Sequence, residues 1–235
     1  MLESKDNPYV KHLKKLANDS HYREKMQKVF LEGKTLIQEL LPFVESGTLY
    51  MKNDFNTHLN KVRISEAVEK KLASFEGSDL FAEFPLPRPH LPQKCTHILA
   101  LDAVSDPGNL GTLMRSALAL GWDAIFFLPG CCDPFNDKAL RASKGALFKL
   151  PYRKGSWEEL ERIAEEQQLH LLAADMEGKK PKKQNCILIL GNEGQGLSEK
   201  ARHQEKVSIP MPGNMESLNV SAAGAILMYV IGQHE

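Results

Sequence analysis

Cysteine is scarce in this chain, and what there is follows no pattern. Cys95, Cys131, Cys132 and Cys186 make no C-x-x-C pair, and no H-E-x-x-H occurs. A zinc site is therefore not indicated, and no metal is expected. Few cysteines without a framework fit a reducing compartment, which predicts a cytoplasmic protein. Net charge is also lacking: 30 Lys and Arg balance 30 Asp and Glu. No global field draws the chain to nucleic acid, so any such contact must come from local basic patches. No apolar run is long enough to span a bilayer, and no charged start leads into an apolar leader segment, so no membrane is expected. Walker and Rossmann glycine loops are missing as well, which disfavours nucleotide folds of those classes.

At 235 residues the chain exceeds the usual single domain. Its first third alternates short elements. Tyr9, Leu13 and Leu16, with Val10, predict an amphipathic helix after Pro8. Val29 to Glu32 and Thr48 to Met51 read as strands, Thr35 to Val44 as a helix, and Ser65 as the N-cap of a helix from Glu66 to about Ser74. Lys11, Lys14, Lys15 and Arg23 lie in an excess of basic residues, and such a run by itself reads as a solvated helix face. Residues 52–84 give little else. Four prolines between Phe84 and Gln93 break any helix and mark a boundary. The expected organisation is residues 1–84, a proline-rich linker at 85–93, and a second domain at 94–235.

The second domain repeats strand and helix, which argues an α/β fold with a mostly parallel sheet. Thr96 to Val104 predicts a buried strand. Asn109 is placed to cap a helix with the stripe Leu110, Leu113, Met114, Ala117 and Leu118. Arg115 sits off that stripe, roughly 140° from Leu110, where an arginine is usually solvated or salt-bridged. Ala124 to Leu128 is a strand, and 134–145 a helix bearing Arg141 and Lys144. Ser156 and Glu159 open the next helix with a capping box. Leu169 to Ala174 and Cys186 to Leu190 are strands, joined by a turn holding Lys179, Lys180, Lys182 and Lys183. That turn reads as an exposed charged loop, with an RNA-facing role as the alternative. GNEGQGLS follows, its glycines at G-x-x-G-x-G. Last come a strand, Val207 to Met211, a loop containing Pro210, Pro212, Gly213 and Asn214, and a helix with Ser217, Leu218 and Asn219 in its first turn. Leu218, Ala222, Ala225, Ile226 and Tyr229 predict that helix's buried face.

Three of these stretches, in order, resemble the signatures of the SpoU (TrmH) branch of the SPOUT RNA methyltransferases. DPGNLGTLMRSA is similar to the first, GNEGQGLS to the second, and IPMPGNMESLNVSAAGAI to the third. The opening N-P-x-V-K-x-L-x-K-L is similar, more weakly, to the ribosomal-protein-like RNA-binding domain that precedes the catalytic domain in many members. The resemblance implies a parallel-sheet SPOUT domain with a deep C-terminal trefoil knot, although folding rules alone predict an unknotted chain. It implies methyl transfer from S-adenosylmethionine to a ribose 2′-hydroxyl; the signatures do not distinguish rRNA from tRNA, the N-P-x-V-K opening favours rRNA, and a tRNA ribose methyltransferase is the alternative. A non-catalytic RNA-binding protein of the same fold is the rival. Asn109, Gly111, Arg115, Glu193, Ser217 and Asn219 become site residues. Leu190, Gly191, Gly196, Ile209, Met211, Leu218 and Asn219 become cofactor contacts. Lys11, Lys14, Lys15, Arg23, Arg141 and Lys144 become candidate RNA contacts. A homodimer through the knot region is implied, with Ile226, Met228, Tyr229 and Val230 serving core and interface.

Overall fold

A computed structural model describes residues 1–213 and 217–232. Expectations for Asn214 lie outside the described residues. The chain forms two compact units, and they are not contiguous in sequence: residues 135–148 group with residues 1–88, and the remainder forms the second unit.

In chain order the first unit begins with α1 (Pro8–Asn18), α2 (Ser20–Met26), β1 (Lys28–Glu32), α3 (Lys34–Leu40), β2 (Thr48–Met51), β3 (Asn60–Arg63), α4 (Glu66–Leu72) and β4 (Leu80–Pro85). Asn7 caps α1 by accepting the Tyr9 N–H at 2.8 Å, with Pro8 at the first helical position. Val10, Leu13 and Leu16 are fully buried, whereas Tyr9 is exposed. They pack with Phe30, Tyr50, Ile64, Val68, Leu72 and Phe81 into one core. The sheet order is β1-β4-β2-β3, antiparallel except for β2 beside β3. Residues 52–84, nearly silent in sequence, thus supply two of its four strands. β4 pairs with β1 through Pro85, and the Leu86 N–H reaches Gln27 O at 2.9 Å. The start of the proline-rich stretch is therefore strand rather than linker.

The second unit opens with β5 (His97–Leu101), α5 (Pro107–Ala119) and β6 (Ala124–Phe127). After α6 (Asp137–Ser143), which belongs to the first unit, come β7 (Tyr152–Lys154), α7 (Trp157–Gln167), β8 (His170–Lys179), β9 (Cys186–Leu190), α8 (Glu199–Arg202), β10 (Glu205–Val207) and α9 (Val220–Ile231). The order β10-β8-β9-β5-β6-β7 is parallel throughout. β5 and β9 are buried along their whole length, as both-face burial in a parallel sheet demands. Side chains alternate across the sheet. Ile187 and Ile189 join the core beneath Trp157, Leu160 and Ile163 of α7. Leu190 points the other way, toward α9.

Four expectations need correction here. The cap of α5 is Asp106, whose carboxylate accepts the Asn109 N–H at 2.8 Å; Asn109 lies in the first turn with its side chain available for other work. The late strand ends at Val207, because Pro210 and Pro212 bring no N–H to a ladder. The helix begins at Val220 with Asn219 as cap, so Ser217 and Leu218 precede it. Its buried face is Gly224, Leu227, Met228 and Ile231, while Leu218, Ile226 and Tyr229 are exposed. α9 is apolar nearly all round, so the sequence offers two stripes, and glycine decides between them. A Cβ on Gly224 would lie 2.4 Å from Leu113 and 2.5 Å from Leu190, so this face alone lets α9 settle onto α5 and β9.

Candidate active site

The site is built where β8, β9 and β10 end and α5 and α9 begin. β10 follows β8 as far as Lys206 opposite Ala173, then jumps so that Val207 faces Lys179. The intervening residues of β8 swing out, and Ala174, Asp175 and Met176 become a wall. Gly178 is needed at the return: a Cβ there would lie 2.4–2.6 Å from the Lys206 and Val207 backbone. Together with residues 190–193, 207–211 and 217–220 this wall encloses a cavity of about 520 Å³.

At one side of the cavity the loop after β9 is folded tightly. Asn192 and Gly196 exchange both backbone hydrogen bonds at 2.9 Å, and the Asn192 side-chain oxygen accepts the N–H groups of Gly194 and Gln195. Its amide nitrogen donates to Ala103 O at 2.8 Å and to Ser105 Oγ at 3.2 Å. That closure aims Glu193 at the start of α5. Its carboxylate accepts from Ser105 N (3.1 Å), Ser105 Oγ (3.0 Å), Asp106 N (3.1 Å) and Asn109 Nδ2 (3.1 Å). Desolvation alone would raise its pKa, but the backbone and Asn109 hydrogen bonds outweigh it and hold Glu193 below the ordinary carboxylate range. The chain of bonds continues. Asn219 Nδ2 donates to Asn109 Oδ1 at 3.0 Å, and Asn219 Oδ1 accepts from Ser221 N (2.9 Å) and Ser221 Oγ (2.6 Å). Glu193, Asn109 and Asn219, from three distant stretches, are thereby one polar strip.

The cavity brings together Asn109, Leu190, Gly191, Glu193, Gly196, Ile209, Met211, Ser217, Leu218 and Asn219. Two anticipated residues are elsewhere. Gly111 is buried inside α5. Arg115 is exposed, six residues past Asn109 and so about 9 Å further along the axis; it does not line the cavity, and among the described residues it has no ion-pair partner. The anticipated RNA contacts diverge more. Lys11 is exposed. Lys14 approaches Leu72 O at 3.4 Å, and Lys15 lies over the Tyr22 ring at 4.5 Å. Arg23 is buried and donates to Leu16 O and, at 3.0 Å, to Ala17 O, capping the end of α1. It cannot be counted on an exposed basic face. Arg141 pairs with Asp137, and Lys144 lies 3.4 Å from Glu39.

Sequence reasoning missed Ser105, Asn192 and Asp175. The first two are small polar neighbours of signature residues with no spacing signal of their own. Asp175 was hidden because the apolar run of β8 stops at Ala174, while the strand and its wall continue. Its carboxylate accepts the Glu177 N–H at 2.9 Å and lies 3.2 Å from Lys206 Nζ; that backbone bond first, then Lys206, holds its pKa below the usual range. The adjacent Cys132 thiol is pushed up to about 11 by burial and by Asp133, Glu193 and Asp106, so it is no nucleophile near neutral pH.

A parallel α/β sheet carrying an apolar, glycine-narrowed cavity at its strand ends, rimmed by carboxamides, defines a ligand-binding domain at the carboxyl edge of the sheet. The SpoU rRNA Methylase family model matches residues 96–229. The chain is 31% identical, over 97% of its own length and 97% of the relative's, to the 23S rRNA (guanosine(2553)-2′-O)-methyltransferase RlmP of Bacillus subtilis. Its fold superimposes on an AdoMet-bound rRNA methyltransferase from Sinorhizobium meliloti with a TM-score of 0.81 and 26% identity, covering 97% of this chain and 95% of that one. The fold of the SpoU methyltransferase AviRb from Streptomyces viridochromogenes, solved with AdoMet, gives a TM-score of 0.84 at 22% identity over 95% and 96% of the two chains. The chain belongs to the SpoU rRNA methylase family.

Proposed function

We propose that this protein transfers a methyl group from S-adenosylmethionine to the 2′-hydroxyl of a ribose in rRNA. The observation that carries the reading is the cavity itself, whose walls come from β8 and from the second and third signature segments and whose polar edge is the Glu193–Asn109–Asn219 strip. Family membership and the rRNA methyltransferase RlmP, similar along nearly the whole chain, support rRNA over tRNA.

The cavity fits the cofactor on three counts. Its volume of about 520 Å³ lies within the roughly 300–1,000 Å³ of small-molecule sites. Leu190, Ile209, Met211, Leu218 and Leu227 supply apolar surface for a flat base. A side chain on Gly191 would lie 2.6 Å from Gly196 O, so only bare backbone fits here and the slot stays open to a flat ligand. The carboxylates of Asp175 and Glu193 suit a cationic ligand. When bound, S-adenosylmethionine supplies a methyl group on a sulfonium leaving group, so the transfer needs no metal.

The hydroxyl is a weak acid and must lose its proton as it attacks. Guanidinium is a poor base because it stays protonated in proteins. Arg115 is therefore the residue that orients the ribose or its phosphate and stabilises developing alkoxide charge. Asn109, Ser217 and Asn219 hold the substrate in register, and Glu193 fixes Asn109. The deep knot belongs to the same reading and is supported by the return of the chain beyond Gly191 to a place beside β8, pressed against Gly178. The exposed apolar Ile226 and Tyr229 of α9 support a homodimer. The first unit, with Lys11 and Lys15 at the surface of α1, serves as the RNA-binding domain. Four free cysteines suit the reducing cytoplasm.

Counting tritium transferred from labelled S-adenosylmethionine to purified rRNA and tRNA tests the substrate class. Label in rRNA alone is expected. Label in tRNA alone would replace rRNA as substrate, and no label in either pool together with no cofactor binding would favour a non-catalytic RNA-binding protein.

A further inference from the structure

The charged side chains that line the cavity, among the described residues, are Asp175 and Glu193, both acidic. Asp106 caps α5 beside them, and Glu177 is exposed on the same β8 segment. An RNA strand brought to this site meets negative charge at its own scale, in a chain with no net charge to offset it. Cations close to the cavity are needed to hold the phosphates, and one segment concentrates them.

Lys179, Lys180, Lys182 and Lys183 fall within five residues, all exposed, with Pro181 buried between them. The turn is fastened to the cavity wall. Ser208 N donates to Lys179 O at 2.9 Å, and Ser208 Oγ to Gly178 O at 2.7 Å; Ser208 itself lines the cavity. Lys206 already answers Asp175 and Glu177, at 3.2 and 3.4 Å. The four lysines, by contrast, have no ion-pair partner among the described residues. Buried proline and strand-end hydrogen bonds hold the backbone, and the ammonium groups stay solvated and free to exchange counterions for phosphate.

We propose that the turn of residues 179–183 is a phosphate-backbone grip for the RNA substrate, set beside the cavity so that the strand flanking the modified ribose is held there. The inference rests on the reading of the chain as an RNA methyltransferase. Backbone contacts of this kind carry no sequence information and position the strand. Their signature is salt dependence, because each neutralised phosphate releases counterions, with about 0.7 in the slope of log K against log salt per phosphate of a single strand.

The test compares full-length wild type with K179Q/K180Q/K182Q/K183Q, titrating a labelled single-stranded transcript of large-subunit rRNA at several salt concentrations. A matched variant, K94Q/K154Q/R162Q/K200Q, removes the same charge from exposed positions elsewhere in the second unit. The expected result is a slope lower by about two to three in the first variant, little change in the matched one, and S-adenosylmethionine affinity within twofold of wild type in both by calorimetry. An unchanged slope in the first variant, or an equal loss in both, would overturn the proposal. Absence of cofactor binding by wild type would overturn the methyltransferase reading instead; the RNA slopes need no cofactor and still decide the role of the lysines.

Discussion

A single side chain, Glu193, shows how the site is held at the scale of residues. It was legible as a signature residue, but its plain reading is a loop carboxylate facing water. The fold instead turns four donors onto it, from Ser105, Asp106 and Asn109. Those donors depress its pKa below the ordinary 4.5. A depressed carboxyl contributes stability that is fully present above the unfolded-state value and is lost as pH falls through the folded one. The urea midpoint of wild type should therefore exceed that of Glu193→Gln at neutral pH, with the gap closing as pH drops below about 4.5. A gap that stays constant across that window would refute the charge-assisted account. Arg115 makes the opposite point. Periodicity puts it off the apolar stripe, and the structure leaves it exposed, so nothing in packing explains it. As an orienting group it should not tolerate lysine, which lacks the planar fork. Arg115→Lys is expected to lower kcat by about 100-fold or more with S-adenosylmethionine affinity unchanged; near-full activity would remove the orienting role.

At the scale of elements, the strands β2 and β9 and the capping box of α7 were legible to the residue, because cap chemistry and buried apolar runs are local signals. What was not legible depends on packing between elements. The face that α9 buries is chosen by Gly224, and no periodicity within an all-apolar helix reveals it. Gly224→Ala should destabilise the protein by about 1–3 kcal/mol through overpacking against Leu113 and Leu190, overriding the propensity gain of up to about 1 kcal/mol that alanine brings to a helix. Denaturant unfolding checks the sign, and a more stable variant would mean that α9 does not sit this closely. The outward swing of β8 after Ala173, which makes Asp175 part of the wall, was equally hidden. It exists only because β10 re-pairs at Lys179.

Across the whole molecule, the sequence made the alternating α/β plan of the second unit readable, and its three signatures converge on one cavity although Asn109 and Asn219 are 110 residues apart. The first unit was readable only in part, since β3 is largely exposed and short and β4 ends in proline. The exposed Ile226 and Tyr229 give the molecule an apolar patch at α9, and a homodimer would cover it. Ile226→Glu with Tyr229→Glu is expected to sediment as a monomer at micromolar concentration where wild type sediments as a dimer; a wild-type monomer would refute the interface. No helix among the described residues is long and apolar enough to cross a membrane.

The most direct test of the central claim locates the methyl group on the product. rRNA treated with wild type and trideuteromethyl-labelled S-adenosylmethionine would be hydrolysed in alkali and its fragments resolved by mass spectrometry. A ribose 2′-O-methyl blocks cleavage at its own phosphodiester, so the account predicts the label in one alkali-resistant dinucleotide, absent when Arg115→Ala replaces wild type. Label on a base, in a mononucleotide that alkali releases normally, would contradict it.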